Sequence, residues 1–206
     1  MPDIDEFLNE LSSGAPVPGG GSVAGLEVAM GAALIHMVAE LTIGREKFAA
    51  VEDQVRSIRD QAAELRIHAR SLVDADVEAF GRVSDAMKLP RATDDEKAVR
   101  REAVQDALKG AVGPPLATMK SAGDVMRLAS QLAPIGNPNA ISDVGSAALA
   151  VDAGYYAAKL NVEINLAAIK DAGFVSEIRG QMPDDRAIDE GRKDVIELVL
   201  KAIRGE

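Results

Sequence analysis

Asp76 is a carboxylate placed where an apolar side chain would be expected. Val51, Val55, Ile58, Ala62, Leu65, Ala69, Leu72, Ala79 and Val83 follow three- and four-residue spacing once Asp76, which falls in step with them, is included. A carboxyl on such a stripe loses hydration when the stripe packs, which raises its pKa and suits it to acid–base work. The competing reading is a helix–helix salt bridge. Asp74 lies two residues away and Phe80 one turn on, so the segment offers two carboxylates beside an aromatic ring.

Three further constellations have residue types of chemical interest. Pro16-Val17-Pro18-Gly19-Gly20-Gly21-Ser22 leads into a small-residue helix. Glycine allows close backbone approach, and a helix N-terminus offers free N–H groups to polar or anionic ligands. The loop is no P-loop, for no Lys-Ser/Thr pair follows it, and no strand precedes it as a dinucleotide fingerprint requires. By itself it reads equally as a tight turn or a ligand-contacting loop. Gly136-Asn137-Pro138-Asn139-Ala140-Ile141-Ser142-Asp143 is a turn-rich loop that opens an apolar helix. Asp143 falls in the first turn, where the dipole favours a carboxylate, and Asn139 or Ser142 is a capping candidate. Asn161 and Asn165 are one helical turn apart among apolar residues, so their amides need partners on another helix or on a polar heterocycle. His36 reads as a satisfied core group and His68 as part of a charged surface with Arg66 and Arg70. Together they make no metal site.

These side chains need elements to hold them. The spacing predicts a short amphipathic helix over 3–12 and a helix from Ser22, its N-cap, to about Ile43, with Gly44 closing it. A long helix covers about 50–87 and ends at Leu89-Pro90. Thr93-Asp94-Asp95-Glu96 reads as a capping box, and Pro114-Pro115 opens the next helix, to about Leu132. An apolar helix over about 140–172 and an amphipathic one over 184–203 complete the chain. No segment alternates as a strand does. The expected fold is an all-α, up-and-down bundle of long helices in a single domain, 1–206.

Composition narrows the classes. Of the 206 residues 47% are hydrophobic but only 3% aromatic, so small and aliphatic side chains must build the core. A net charge of −10 with no basic stripe argues against nucleic acid. The absence of cysteine excludes thiolate chemistry and disulfides. No signal-peptide pattern opens the chain, and the apolar run Val23–Val38 is broken by Glu27 and His36, which favours a buried helix over a membrane span. The expected compartment is the cytoplasm.

In this order the segments resemble the cyclodeaminase/cyclohydrolase family of folate enzymes. This is the family of the C-terminal domain of formiminotransferase-cyclodeaminase and of bacterial methenyltetrahydrofolate cyclohydrolases. The matching pieces are the glycine loop, Leu41-Thr42-Ile43-Gly44, Asp76 through Phe80, Leu89-Pro90 with Glu96-Lys97 and Arg100, Pro115-Leu116, Gly136-Asn137, Ser142-Asp143 and Asn161 through Asn165. They span about residues 5–172. Two positions depart from the family pattern. Glu40 stands where members often have Asn, and Arg45-Glu46-Lys47-Phe48 replaces a Lys-Lys-Tyr type segment.

The resemblance implies a helical subunit that forms a homodimer or a higher homo-oligomer. Its ligand would be a tetrahydrofolate derivative, with no metal, no cofactor beyond that substrate, and no membrane or nucleic-acid partner. The expected reaction is reversible hydrolysis of 5,10-methenyltetrahydrofolate to 10-formyltetrahydrofolate. The alternatives are a cyclodeaminase that releases ammonia from the formimino compound and a non-catalytic folate-binding oligomer; the lack of an attached formiminotransferase domain favours the hydrolase. On this footing Asp143, Asp76 and Asn161 are the catalytic candidates. Gly19, Gly20, Gly21, Ser22, Thr42, Asn137 and Asn165 would contact the substrate, and Lys47 and Arg100 its glutamate tail.

Overall fold

A computed structural model describes residues 3–206. Eight α-helices follow one another among these residues: α1 Ile4–Leu11, α2 Gly20–Glu40, α3 Glu52–Lys88, α4 Asp94–Ala111, α5 Gly113–Leu132, α6 Ile141–Ala168, α7 Ala172–Gln181 and α8 Asp185–Arg204. Two 3-10 turns, Glu46–Val51 and Pro138–Ala140, precede α3 and α6. No strand occurs among the described residues.

The bundle is organised around α2, which packs between α3 and α6 with α5 behind it. Its length and hydropathy would suffice to cross a membrane, but more than half of its most apolar window is buried inside the bundle. Small residues permit this. A Cβ on Gly154 of α6 would lie 2.9 Å from the Ala24 carbonyl, and one on Gly31 of α2 would overlap Val151. The two helices therefore meet nearly backbone to backbone. They run antiparallel, with Gly20 beside Asn161 and the Gly31 level beside Ala147 and Val151. The core above and below is aliphatic, and Tyr155 is the one aromatic side chain wholly inside it. Its hydroxyl donates toward Asp185 Oδ1 at 2.9 Å and the Pro183 carbonyl at 2.8 Å, which fastens the start of α8 to α6.

Several local expectations meet the structure directly. Thr93 and Glu96 form the capping box: Glu96 N–H donates to Thr93 Oγ1 and Thr93 N–H to Glu96 Oε2. Gly44 has φ +75°, the left-handed conformation that closes the turn after α2. Others are corrected. The N-cap of α2 is Gly19, not Ser22; the helix begins three residues earlier and the Ser22 hydroxyl is used elsewhere. Neither Asn139 nor Ser142 caps α6, whose N-cap position is Ala140 with no side-chain bond; Asn137 caps the preceding 3-10 turn, its Oδ1 accepting from Asn139 N–H. The apolar helix stops at Ala168, and Asp171 caps a separate helix α7 by accepting from Phe174 N–H. His36 is half-buried rather than a satisfied core group, with Nδ1 unpartnered among the described residues. Asp74 does not share the environment of Asp76: it is solvent-facing and paired with Arg70 at 2.7 Å.

Candidate functional site

The N-terminus of α2 forms one wall of a cleft of about 340 Å³. Pro16, Val17 and Gly19–Gly21 supply that wall, Asp76 and Phe80 of α3 the floor, and Asn161 and Asn165 of α6 the opposite side. The C-terminal half of α4 closes the end through Leu108 and Ala111. Three of the four constellations read from sequence thus converge on one place.

Asp76 reaches the first turn of α2 from across the bundle. Ser22 Oγ donates to its Oδ2 at 3.1 Å, and the Ser22 N–H also favours the charged carboxylate. A Cβ on Gly21 would overlap the carboxyl group, so the third glycine of the loop is what lets Asp76 lie against the helix backbone. Burial raises the Asp76 pKa above its ordinary value of 3.8 and outweighs the opposing Ser22 hydrogen bonds. The first-turn N–H groups of Gly20 and Gly21 are ones that an α-helix leaves without internal partners.

The asparagines face the cleft with acceptors that have no partner among the described residues. Asn161 Nδ2 donates to the Ala157 carbonyl at 2.8 Å and Asn165 Nδ2 to the Ala111 carbonyl at 3.1 Å. Carbonyl oxygens can only accept, so these bonds fix the orientation of both amides. Each Oδ1 is left to receive a proton donor. Phe80, 40% exposed, and Met87, 52% exposed, add an apolar rim, and Arg100 reaches it by donating from Nε to the Met87 carbonyl at 3.1 Å. This combination of carboxylate, acceptors, helix N–H groups and apolar surface suits a flat heterocycle with ring N–H donors and a positive charge.

The other named residues lie elsewhere in the chain. Thr42 and Asn137 sit at the far end of α2, about 30 Å away at ~1.5 Å per residue, and both are buried. Thr42 Oγ1 donates to the Val38 carbonyl at 2.7 Å and accepts from Asn137 N–H at 2.9 Å, while Asn137 Nδ2 donates to the Leu41 carbonyl at 3.0 Å. Their hydrogen-bonding capacity goes into clipping the 3-10 turn Pro138–Ala140 to α2. Asp143 lies half-buried in the first turn of α6 at this same end, with no hydrogen bond or ion pair among the described residues. Lys47 lines a larger hollow of about 930 Å³ between the Glu46–Val51 turn, residues 133–138 and α8. Size does not make that hollow the better site, for it gathers none of the other candidate residues, and its Lys201 is already paired with Glu197 at 2.7 Å.

Sequence reasoning missed α4 as a wall of the cleft, since Leu108 and Ala111 carry no signal beyond helical periodicity. It also missed Glu27, whose Oε2 is buried without a partner among the described residues and whose pKa is raised by desolvation. A charge interrupting an apolar helix was the visible sign. No group of three metal-ligating side chains occurs among the described residues.

Comparison with known proteins defines the class. The model of the formiminotransferase-cyclodeaminase family matches residues 3–184, and the chain belongs to that family. A methenyltetrahydrofolate cyclohydrolase from Methylorubrum extorquens is 41% identical over 191 residues, which is 91% of this chain and 92% of that protein. The formimidoyltransferase-cyclodeaminase of Sus scrofa is 38% identical over 84% of this chain, but the match spans only 32% of that longer protein. A crystal structure of formiminotetrahydrofolate cyclodeaminase from Thermotoga maritima superposes with a TM-score of 0.86 at 28% identity, covering 98% of both chains. That similarity includes α8, which lies beyond the family match.

Proposed function

We propose that this chain catalyses the reversible hydrolysis of 5,10-methenyltetrahydrofolate to 10-formyltetrahydrofolate. The observation that carries the reading is the raised, half-buried Asp76 facing two free amide acceptors in a cleft under a helix N-terminus. The 41% identity along nearly the whole of a methenyltetrahydrofolate cyclohydrolase supports the choice of reaction.

The methenyl bridge is an amidinium-like cation. Water adds to its carbon, and a base takes the water's proton. The bond from that carbon to N5 then breaks as the new hydroxyl gives up its remaining proton and becomes the formyl carbonyl, N5 receives a proton, and one proton is released overall. Asp76 stabilises the cation electrostatically and serves as the proton acceptor and donor. The Oδ1 atoms of Asn161 and Asn165 accept from the pterin N–H groups or from the attacking water. Gly19, Gly20 and Gly21 admit the ligand to the helix N-terminus, and Ser22 acts through Asp76. Arg100 meets the anionic glutamate tail at the rim. Asp143 and Lys47 could meet the same ligand only from a second copy of the chain, while Thr42 and Asn137 serve the scaffold, clipping the turn before α6 to the end of α2.

The reading carries a single-domain protein working in the cytoplasm as a homodimer or higher homo-oligomer, without a metal or any cofactor beyond the folate, and without a nucleic-acid or membrane partner. The likeness to the Thermotoga maritima cyclodeaminase structure supports a second reading, in which 5-formiminotetrahydrofolate cyclises and ammonia leaves. Purified protein offered both substrates decides between them. Decay of the methenyl absorbance above the spontaneous rate is expected. Ammonia release from the formimino compound with no acceleration of that decay would overturn the hydrolase in favour of the lyase. Folate binding with neither turnover would leave only a binding protein.

A further inference from the structure

Of the helices that wall the cleft, α4 has the least apolar burial to hold it. Its 18 residues bury two side chains, Leu108 and Ala111, and both line the cleft. Val99, nearer its start, lies exposed. A helix with so few buried apolar contacts is free to shift unless polar groups pin it.

A polar clasp does so. Gln105 Nε2 donates to the Ala168 carbonyl at 3.1 Å, and its Oε1 accepts from Lys170 N–H at 2.7 Å. The carbonyl can only accept and the N–H can only donate, so the two bonds hold the amide in one orientation. Ala168 is the last residue of α6, where carbonyls lack helical partners. Gln105, Leu108 and Lys109 share one face of α4, which sets the clasp beside the cleft wall. Lys109 Nζ also pairs with Asp171 at 2.8 Å. That pair is half-exposed and its lysine stem is long, so it tolerates sliding. A planar amide bonded on both sides does not.

The clasp bears on the cleft through α6. Asn161, Asn165 and Ala168 lie on one face of α6 and all line the cleft. Their two amides are oriented differently. Asn161 donates to the Ala157 carbonyl of its own helix, whereas Asn165 donates across to the Ala111 carbonyl of α4. The direction of Asn165 Oδ1 therefore depends on where α4 sits, and that of Asn161 does not. The Asn165–Ala111 bond is 3.1 Å long. A shift of α4 by ~1 Å would stretch it out of range and let the amide turn, bringing its donors to the place of the acceptor.

We propose that Gln105 is a positioning residue of the folate reaction: by clasping the end of α6 it holds α4 in register and keeps the Asn165 acceptor turned into the cleft. The inference rests on the folate reading for its ligand. Gln105 itself is not among the residues that line the cleft, so it acts through Asn165.

A double-mutant cycle tests it. Gln105→Met keeps the length of the side chain and removes both bonds, and kcat/KM for the methenyl compound should fall about 10-fold. Asn165→Ala removes the group being positioned. The double variant should then be worse than Asn165→Ala by no more than about twofold. Losses that multiply, or wild-type kcat/KM in Gln105→Met whatever its Tm, overturn the proposal and leave the hydrolase reading intact. Gln105→Glu keeps only the acceptor for Lys170 N–H; it should show a smaller loss with the same dependence on Asn165, and it carries the cycle if Gln105→Met does not fold. A second readout needs no turnover. In isotope-labelled protein, the side-chain NH2 signal of Asn165 should shift in the Gln105 variant and exchange faster with water, while that of Asn161 stays in place. Equal movement of both signals, or of neither, overturns the proposal. A selective shift in a protein that does not hydrolyse methenyltetrahydrofolate retains the clasp and removes the hydrolase reading.

Discussion

The Thr42–Asn137 cluster at one end of α2 and the glycine loop at the other carry equally suggestive residues and treat them in opposite ways. At the Thr42 end, hydroxyl, backbone and amide groups bond one another inside the protein: Thr42 to Val38, and Asn137 to Thr42, Leu41 and Asn139. At the glycine end, the same kinds of group keep capacity in reserve. Among the described residues Asp76 has two oxygens and only Ser22 as a partner, and the Oδ1 atoms of Asn161 and Asn165 accept no hydrogen bond. Buried polar groups that satisfy one another hold a fold; polar groups fixed by one bond and left open at the next are prepared for a ligand.

The sharpest way to break this contrast is Asp76→Asn. The amide keeps an oxygen for the Ser22 hydroxyl and the same volume, but it can no longer exchange a proton at neutral pH. Turnover is expected to fall by ~10²–10⁴, with the midpoint of thermal unfolding at pH 7 unchanged or slightly raised. Loss of fold alongside loss of activity would make Asp76 a structural cap of α2 and erase the distinction between the two ends.

Gly21→Ala probes how closely the carboxylate must approach. The added methyl overlaps the Asp76 carboxyl group, so Asp76 or the start of α2 must move. Overpacking of this kind costs ~1–3 kcal/mol, and a displaced carboxylate should cost at least ~10-fold in kcat/KM, since a misplacement of ~1 Å is worth more than that. Wild-type kinetics in this variant would show that Asp76 works, if at all, from another position.

Thr42→Val is the counterpart at the closed end. It leaves the buried Asn137 N–H without its acceptor, at ~1–3 kcal/mol, or a few degrees in Tm at roughly 2–4 °C per kcal/mol for a chain of this size. The folded fraction should keep kcat within about twofold, because the Thr42 hydroxyl is wholly buried and its one proton is given to the Val38 carbonyl. A fall in kcat with an unchanged Tm would move Thr42 from the scaffold to the site.

Much of this was legible in the chain and some was not, for physical reasons. Capping and turn chemistry are local, so the Thr93–Glu96 box, the Pro114-Pro115 helix start and the Gly44 turn can be read from neighbours a few residues apart. The apolar periodicity of α3 was enough to single out Asp76. Ser22 misleads because its hydroxyl has two equally good fates, capping its own helix or bonding Asp76 fifty-four residues away, and only packing chooses. The helix through Ala172 was overextended because nothing at Ile169-Lys170 breaks a helix; the break is made by Asp171, which caps α7. The largest gap concerns the site itself. Gly20, Thr42, Asn137 and Asp143 occur in one ordered set of motifs, but the length of α2 keeps them at opposite ends of the molecule. Order along a chain does not say which copy of the chain a residue serves.

The smallest expected effect is the response of stability to pH at the glycine end. Asp76 has a folded-state pKa above the ordinary 3.8, so between these values the native state binds more protons than the unfolded one, and stability falls as pH rises. Below 3.8 the carboxyl is protonated in both states and the penalty vanishes; above the folded pKa it is present in full. Asp76→Asn removes it. The variant should therefore match wild type in acid and gain on it as pH rises through that window, in paired urea titrations from pH 3 to 7. The gain is small because the two Ser22 hydrogen bonds already offset part of the cost of burial. At the Thr42 end the ledger has no such entry, and the difference between Thr42→Val and wild type should stay constant over the same range. A variant that instead loses ground as pH rises would mean that the Ser22 bonds outweigh burial, and that Asp76 is as fully satisfied as the Thr42–Asn137 pair.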